Sequence, residues 1–477
     1  MQHKKILETL MAFVGLMCLA GPTLAGQSHK TIKGPFTTPE SVTKKCLECH
    51  AQAAVDIMKT QHWNWQEMQV VNGKNQLYGK KKAMTNFAIT VDGNWPRCTG
   101  CHIGYGWADA SFNFQDKTKV DCLICHDTTG TYSKAKMGAG MPRGFTETKE
   151  RAAAVDLLFV AQNVGKPSKK TCGNCHFGGC GDARVQHGDL DTSFAGPSIE
   201  IDVHMAADGQ DFDCQKCHYP KEEHNIKGHY MMPSSDGTYQ SGCVECHKSA
   251  PHKLKILNSH YEAVACQTCH IPTFSRQNAT KTHWDWCTTE CKVTEWSSEK
   301  YGTSQAVKGI GAFTWNKNVI PTYEWYNGKE TVYLRGNKID PDKVTLINQP
   351  EGSIKDRQAK IFPFREHGAK QIYDTQYNYL ITPYISGKGE LAFWKTYDWD
   401  SASKKGMAFS GLAYSGKYGF TETRMFWRIN HGVVKVEQAL DCLSCHGSNG
   451  RMDWDSLGYK GDPWRIKGLS RSKHDFQ

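Results

Sequence analysis

The chain has 477 residues, enough for two or three ordinary domains, and a formal net charge of +10. Only 39% of the residues are hydrophobic, whereas 20 are Cys and 21 are His. This composition argues against an ordinary protein whose core is made of side chains alone. It predicts a chain that packs around a large apolar cofactor.

The first 25 residues have the pattern of an export signal. Lys4 and Lys5 give a positive start, residues 11–20 are apolar, and residues 22–25 offer a small-residue cleavage site. The apolar stretch is short for a bilayer span. We therefore expect cleavage after Ala25 and a periplasmic mature protein, with an uncleaved membrane anchor as the alternative.

Eight Cys-x-x-Cys-His motifs follow the signal. Two thiols three residues apart meet the two vinyl groups of one haem, and the next residue places an imidazole under its iron. Zinc sites and disulfides do not require a His after every second Cys, which disfavours both for this set. The sequence therefore predicts eight covalently bound c-type haems. Their attachment residues are Cys46, Cys49, Cys98, Cys101, Cys122, Cys125, Cys172, Cys175, Cys214, Cys217, Cys243, Cys246, Cys266, Cys269, Cys442 and Cys445.

Each motif also supplies a proximal iron ligand. The haem propionates are expected to balance most of the positive charge, so the charge does not indicate a nucleic-acid partner. Some basic side chains are expected to attract a small anionic substrate. The proximal ligands are His50, His102, His126, His176, His218, His247, His270 and His446.

Histidines outside the motifs are expected to supply the second axial ligands. Their number suffices for two His at every iron, so counting alone cannot identify an iron with an open position. His283 and His367 are reserves. The eight preferred candidates are His62, His187, His204, His224, His229, His252, His260 and His431.

The four remaining cysteines have separate interpretations. Cys18 leaves with the signal. Cys287 and Cys291 either form a disulfide or, with the Lys after Cys291, provide an unusual ninth haem site. Cys180 is either a buried inert thiol or a reactive thiol beside a haem.

The motif spacing divides the chain into segments. Residues 26–291 hold haems 1–7, with predicted helices and long loops, the clearest helix being at residues 152–164. Residues 292–423 contain no motif and are predicted to be partly β, with a hairpin around the turn at residues 335–337. Residues 424–477 hold haem 8, with a helix near residues 437–443. The predicted fold is mainly α, a multihaem scaffold with long loops and a minor β insertion.

Several strings around the motifs resemble the octahaem tetrathionate reductases, which share a haem arrangement with hydroxylamine oxidoreductases. The resemblance runs from about residue 46 to residue 446. The strings that carry it are residues 98–107, 122–132, 187–191, 266–272, 284–286 and 414–420.

The resemblance implies reduction of a small sulfur or nitrogen species. Seven haems would have two His ligands, and the second haem, on Cys98, Cys101 and His102, would be catalytic with a lysine as its distal ligand. Lys134 and Lys136 are the lysine candidates, followed by Lys169. The close spacing of the second and third motifs predicts that the third haem delivers the electrons.

The chain departs from the family pattern in three places, which leaves the substrate open. Cys180 interrupts a Gly-rich run, Gln186 precedes His187, and no Cys stands near Ala88. Tetrathionate, nitrite and hydroxylamine remain candidate substrates. The electron donor is expected to be a membrane quinol dehydrogenase or a small periplasmic cytochrome.

Two alternatives to this reductase remain. One is an electron carrier with two His at every iron. The other is a hydroxylamine-oxidising enzyme, in which a tyrosine such as Tyr414 or Tyr418 would cross-link to the catalytic haem of a neighbouring subunit.

Overall fold

The structure is a computed structural model of the chain. It describes residues 28–86, 90–146, 154–178, 189–218, 224, 242–248, 250–289, 295–298, 302–307, 309–387 and 389–465. The predicted export signal, residues 1–25, lies outside these ranges. Within them, no helix is both long and apolar enough to cross a membrane.

The helices are short and scattered along the chain. Most have four to nine residues, because a haem motif needs only about one helical turn to present its two Cys and its His. The α-helices are α1 (Pro39–Leu47), α2 (Ala53–Met58), α3 (Gln61–Asn64), α4 (Trp95–Cys98), α5 (Leu123–His126), α6 (Leu157–Gln162), α7 (Lys169–His176), α8 (Cys243–His247), α9 (Lys255–His260), α10 (Cys266–His270), α11 (Phe393–Thr396), α12 (Trp399–Ser410) and α13 (Cys442–Cys445). Single 3₁₀ turns are His29–Thr31, Thr99–Cys101, Lys117–Lys119, Thr192–Ala195, Cys214–Lys216, Cys287–Thr289 and Val436–Gln438.

Local signals start and stop these helices. The Ser168 side chain accepts a hydrogen bond from the Thr171 amide, and together they form a capping box at the start of α7. Asp398 caps α12, the longest helix described, and Gly411 ends it in the left-handed conformation. Each of these signals determines where a helix begins or ends, but not how that helix packs in the fold.

The strands form one large sheet and two small ribbons. They are β1 (Glu67–Val71), β2 (Lys74–Tyr78), β3 (Thr280–Asp285), β4 (Glu295–Ser298), β5 (Gly302–Val307), β6 (Gly311–Asn316), β7 (Thr322–Tyr326), β8 (Glu330–Val332), β9 (Thr345–Leu346), β10 (Asn348–Pro350), β11 (Lys360–Asp374), β12 (Tyr379–Leu380) and β13 (Tyr418–Arg428). The nine-stranded sheet has the order β4-β5-β6-β3-β11-β13-β9, and β7 and β12 also pair with β11. Strands β1 and β2 form one ribbon, β8 and β10 the other.

The prediction of a mainly α fold is wrong. Helices make up 26% of the structure and strands 19%, in several sheets. The large sheet is more than a minor insertion, since β3 begins before residue 292 and β13 ends after residue 423.

Two smaller predictions also differ from the structure. The expected hairpin around residues 335–337 does not form, because β8 pairs with β10 instead. The helix predicted at residues 152–164 is only α6, which Asp156 caps at its start, and the one near residues 437–443 is divided between a 3₁₀ turn and α13.

Strand β11 is the centre of the sheet. It pairs with β13 in antiparallel register from Phe364–Arg428 to Asp374–Tyr418, and it lies parallel to β3. Beside it, Trp399 stacks on Phe393 with ring centroids 3.9 Å apart in a core of aromatic and aliphatic side chains. A separate core, rich in Trp and Phe, surrounds the first three motifs.

Candidate haem-binding sites

Seven motif histidines each face a second histidine across 6.0–6.3 Å between ring centroids. A metal–imidazole bond is about 2.0 Å long, so an iron held between two imidazoles separates the ring centres by about 6 Å. The described side chains therefore fit seven haem irons with two His each. The facing pairs are His29–His50, His62–His176, His126–His224, His204–His247, His218–His431, His252–His270 and His260–His446.

Sequence reasoning named six of the seven facing histidines and missed His29. His29 lies ahead of the first motif, whereas all eight preferred candidates lie after it, yet it is the only non-motif histidine between the predicted cleavage site and that motif. His187 and His229 lie outside the described residues. The reserves His283 and His367 are buried in β3 and β11, away from the facing pairs.

His102, the proximal histidine of the second motif, has different surroundings. Among the described residues, no histidine ring faces it. It is fully buried, and five aromatic rings lie with centroids 4.9–6.1 Å from its own. These rings belong to Trp63, Trp65, Trp107, Phe112 and Phe114. We call this group the aromatic cage.

The cage holds the imidazole in a neutral state. Burial, together with the positive charges of Lys134 and Lys80, lowers the pKa of His102 to about 3, against the effect of a hydrogen bond to Trp63. In that bond, His102 Nε2 lies 2.7 Å from the Trp63 carbonyl oxygen. Iron binding at Nε2 requires this contact to open.

The three candidate lysines of the second haem occupy different places. The Lys134 ammonium lies 3.2 Å from an Asp121 carboxylate oxygen and donates to the main-chain oxygen of His102 itself. Lys136 is exposed. Lys169 pairs with Asp211 at 2.7 Å, near the fourth motif. As the structure stands, none of these amines lies across the His102 ring as the facing histidines do elsewhere.

Asp121 is the centre of a buried polar network below His102. Besides Lys134, the hydroxyls of Tyr105 and Tyr132 donate to its two oxygens at 3.1 and 2.9 Å. Burial raises the pKa of both tyrosines well above the usual value, and the Asp121 charge adds to this effect. The two phenols therefore stay protonated donors that hold the carboxylate in place.

Proximity between thiols shows which attachment sites are neighbours. Cys side chains lie close enough to affect one another's pKa between the first and third motifs, the second and fourth, the fourth and fifth, and the sixth and seventh. The same holds for thiols of the third and fourth, fifth and sixth, and seventh and eighth motifs. The fourth motif is thus one neighbour of the second, and the third haem as the electron source of the second stays a prediction.

Of the three cysteines left over after the motifs and the signal, only Cys287 is described. It is half-buried. Cys291 and Cys180 lie outside the described residues, so the disulfide between Cys287 and Cys291 stays a prediction.

Comparisons with known proteins agree with the haem geometry. The family described as bacterial cytochrome c matches residues 281–449, and the family described as cytochrome c554 and c-prime matches residues 45–127. The crystal structure of an octahaem cytochrome c from Shewanella oneidensis is 47% identical, with a TM-score of 0.84, over 93% of this chain and 99% of that one. The chain belongs to the octahaem cytochrome c family. A search of curated proteins finds no match.

Membership establishes the cofactor complement of this octahaem cytochrome c. It binds eight covalent c-type haems, one at each Cys-x-x-Cys-His motif. It is a multihaem protein suited to electron transfer and related to haem oxidoreductases.

Proposed function

We propose that this octahaem cytochrome c is a periplasmic reductase of tetrathionate, nitrite or hydroxylamine, with substrate bound at the haem of His102. The proposal rests on one contrast. Seven proximal histidines face a second imidazole, whereas among the described residues His102 is enclosed by the aromatic cage. An iron with one protein imidazole offers a position for substrate, and the other haems supply single electrons.

Two lysines beside the cage support an anionic substrate. The Lys80 ammonium lies 4.0 Å from the Trp65 ring centroid, and that of Lys81 lies 4.3 Å from the Phe114 centroid. Burial lowers the pKa of Lys81, and the charge of Lys82 adds to this effect. A pair of cations at the rim of an apolar pocket attracts anions and does little for neutral molecules.

The first experiment counts irons that lack two His. Electron paramagnetic resonance and near-infrared spectra of the oxidised protein should show seven bis-histidine haems and one haem of another kind. A reduced dye that serves as the electron donor should then be oxidised when nitrite, tetrathionate or hydroxylamine is added. Eight bis-histidine signals with no turnover of any substrate would favour the electron-carrier alternative.

The second experiment tests the charge at the cage. Lys80→Met and Lys81→Met should lower kcat/KM for nitrite by up to about tenfold, about 1.4 kcal/mol. Turnover of hydroxylamine, which is uncharged at neutral pH, should change little. Lys82→Met is the matched control, because Lys82 is adjacent and exposed. Equal losses for all three lysines would argue against an anion site at the cage.

The partners follow from this proposal. The reductant is a membrane quinol dehydrogenase or a small periplasmic cytochrome, and no nucleic acid is involved.

Peptide mapping of the secreted protein by mass spectrometry should show that residues 1–25 are absent, and their retention would favour a membrane anchor.

A further inference from the structure

Two haem-facing histidines have a carboxylate as the acceptor at their second ring nitrogen. His431 Nδ1 lies 2.9 Å from an Asp189 carboxylate oxygen, and His446 Nδ1 lies 2.7 Å from one of Asp462. With Nδ1 engaged, Nε2 of each ring is the nitrogen left for iron. The His431–Asp189 pair belongs to the haem of the fifth motif, and the His446–Asp462 pair belongs to that of the eighth.

At three other haem-facing histidines the same nitrogen meets a neutral acceptor. His126 Nδ1 lies 2.7 Å from the Gly165 carbonyl, and His260 Nδ1 lies 2.7 Å from that of Ile256. At the seventh motif, His252 Nδ1 lies 3.2 Å from the Asn258 amide oxygen. The chain therefore offers an internal comparison between a carboxylate and an amide in equivalent positions.

Both carboxylates are held rigidly against their imidazoles. Asp189 is buried and also accepts from the main-chain N–H groups of Asn430 and His431. Asp462 accepts from the main-chain N–H of Gly447 at 2.7 Å and that of Trp464 at 2.9 Å. These bonds aim each negative charge at a ring nitrogen and prevent it from turning to solvent.

A carboxylate that accepts from a ligating imidazole raises the basicity of that ligand, and this stabilises the more positively charged ferric iron. We propose that Asp189 and Asp462 are positioning residues that hold the fifth and eighth haems at lower reduction potentials than the third and seventh. The proposal goes beyond the proposed function, and it holds whether or not the second haem is catalytic. It requires only that the facing pairs His218–His431 and His260–His446 each hold an iron.

One consequence concerns the direction of electron flow. Thiols of the seventh and eighth motifs are neighbours. A low potential at the eighth haem makes electron transfer from it to the seventh haem downhill. The eighth haem then suits a strongly reducing donor.

The test replaces each carboxylate by its amide and measures potentials of individual haems. Asp462→Asn and Asp189→Asn should each raise one potential of the eight, in a spectroelectrochemical titration followed by electron paramagnetic resonance. We expect at least a tenfold shift in the ferric–ferrous equilibrium, which corresponds to about 59 mV for one electron. Asp462→Glu, which keeps a carboxylate at this position, should keep the lower reduction potential.

Two further variants separate this effect from general electrostatics and from misfolding. Asp441→Asn removes the same charge beside the eighth motif, where Asp441 caps α13 and does not touch an imidazole. This variant should shift every haem potential by less than Asp462→Asn does. Asn258→Asp should lower the potential of the seventh haem, even where Asp189→Asn fails to fold. Unchanged potentials in Asp462→Asn, or equal shifts in Asp441→Asn, would overturn the proposal.

Discussion

The haem-binding chain and the nine-stranded sheet are ordered in different ways. Around the haems, helices have four to nine residues and several facing histidines come from distant parts of the chain. Helices this short are marginal in water by themselves. The sheet has continuous backbone pairing between β11 and β13 and its own aromatic core. The comparison teaches that one region depends on its cofactors for order, whereas the other depends on its peptide groups and side chains.

The strongest test of this comparison is to prevent haem attachment. Expression without the haem-attachment machinery should leave the residues around the motifs unprotected in hydrogen exchange, because they lack the porphyrin rings as their core. Protection should persist in β6, β11 and β13. The loaded protein is the control, and its mass should exceed that of the mature chain by eight haems.

Equal loss of protection in the sheet would contradict the comparison. It would mean that the sheet, too, folds only on the haem-binding chain. Seven or nine haems by intact mass would contradict the motif assignment, and nine would point to Cys287 and Cys291.

A smaller effect is expected when one charge of the buried network is removed. Lys134→Met leaves Asp121 buried without its cation, so it should destabilise the haem-binding region by about 3 kcal/mol. Adding Asp121→Asn to this variant should recover most of the loss. Denaturant unfolding followed by Soret absorption measures both, with exposed Lys136→Met as the control.

The same variants test whether a lysine ligates the second haem. If Lys134 is a distal ligand, Lys134→Met should change one haem spectrum and lower turnover by more than about tenfold, and Asp121→Asn should not restore either. If neither Lys134→Met nor Lys136→Met changes a spectrum, Lys169 is the next candidate.

The smallest effect is expected in the sheet region and depends on pH. Burial raises the pKa of Glu330 to about 7, against the effects of Arg428 and Asn348. The folded state binds the Glu330 proton more tightly than the unfolded state does. The resulting stabilisation of the folded state is complete below about pH 4.5 and is lost as pH rises through about 7. Glu330→Gln should remove this dependence, which amounts to at most about 3 kcal/mol between pH 5 and pH 8.

Urea unfolding at several pH values, followed by far-ultraviolet circular dichroism, measures the Glu330 effect. Glu351→Gln in the adjoining turn is the matched control, because Glu351 is less buried. Parallel pH profiles for the wild type and Glu330→Gln would show that Glu330 titrates normally.

The haem attachment sites could be predicted from sequence because their chemistry is local. Two thiols and an imidazole within five residues specify one haem without reference to the rest of the fold. The facing partners could not be assigned in the same way. His62 and His176, or His260 and His446, meet only after more than a hundred residues of chain have folded between them. His29 is only 21 residues from His50, and it was missed because every preferred candidate was taken from the chain after the first motif.

The size of the sheet could not be predicted because its central strand lacks an alternating pattern. Nearly every side chain of β11 is buried, including those of the polar residues Arg365 and His367, so hydrophobic and polar residues do not mark two faces. A strand buried on both faces is expected to be rich in Val, Ile and Leu, and β11 is not. The polar network of Asp121 could likewise not be predicted from the sequence, because its members are not adjacent in the chain.

The thiols of the fourth motif lie near those of three other motifs, the second, the third and the fifth. Loss of the fourth attachment site would therefore take a neighbour away from three other haem sites at once.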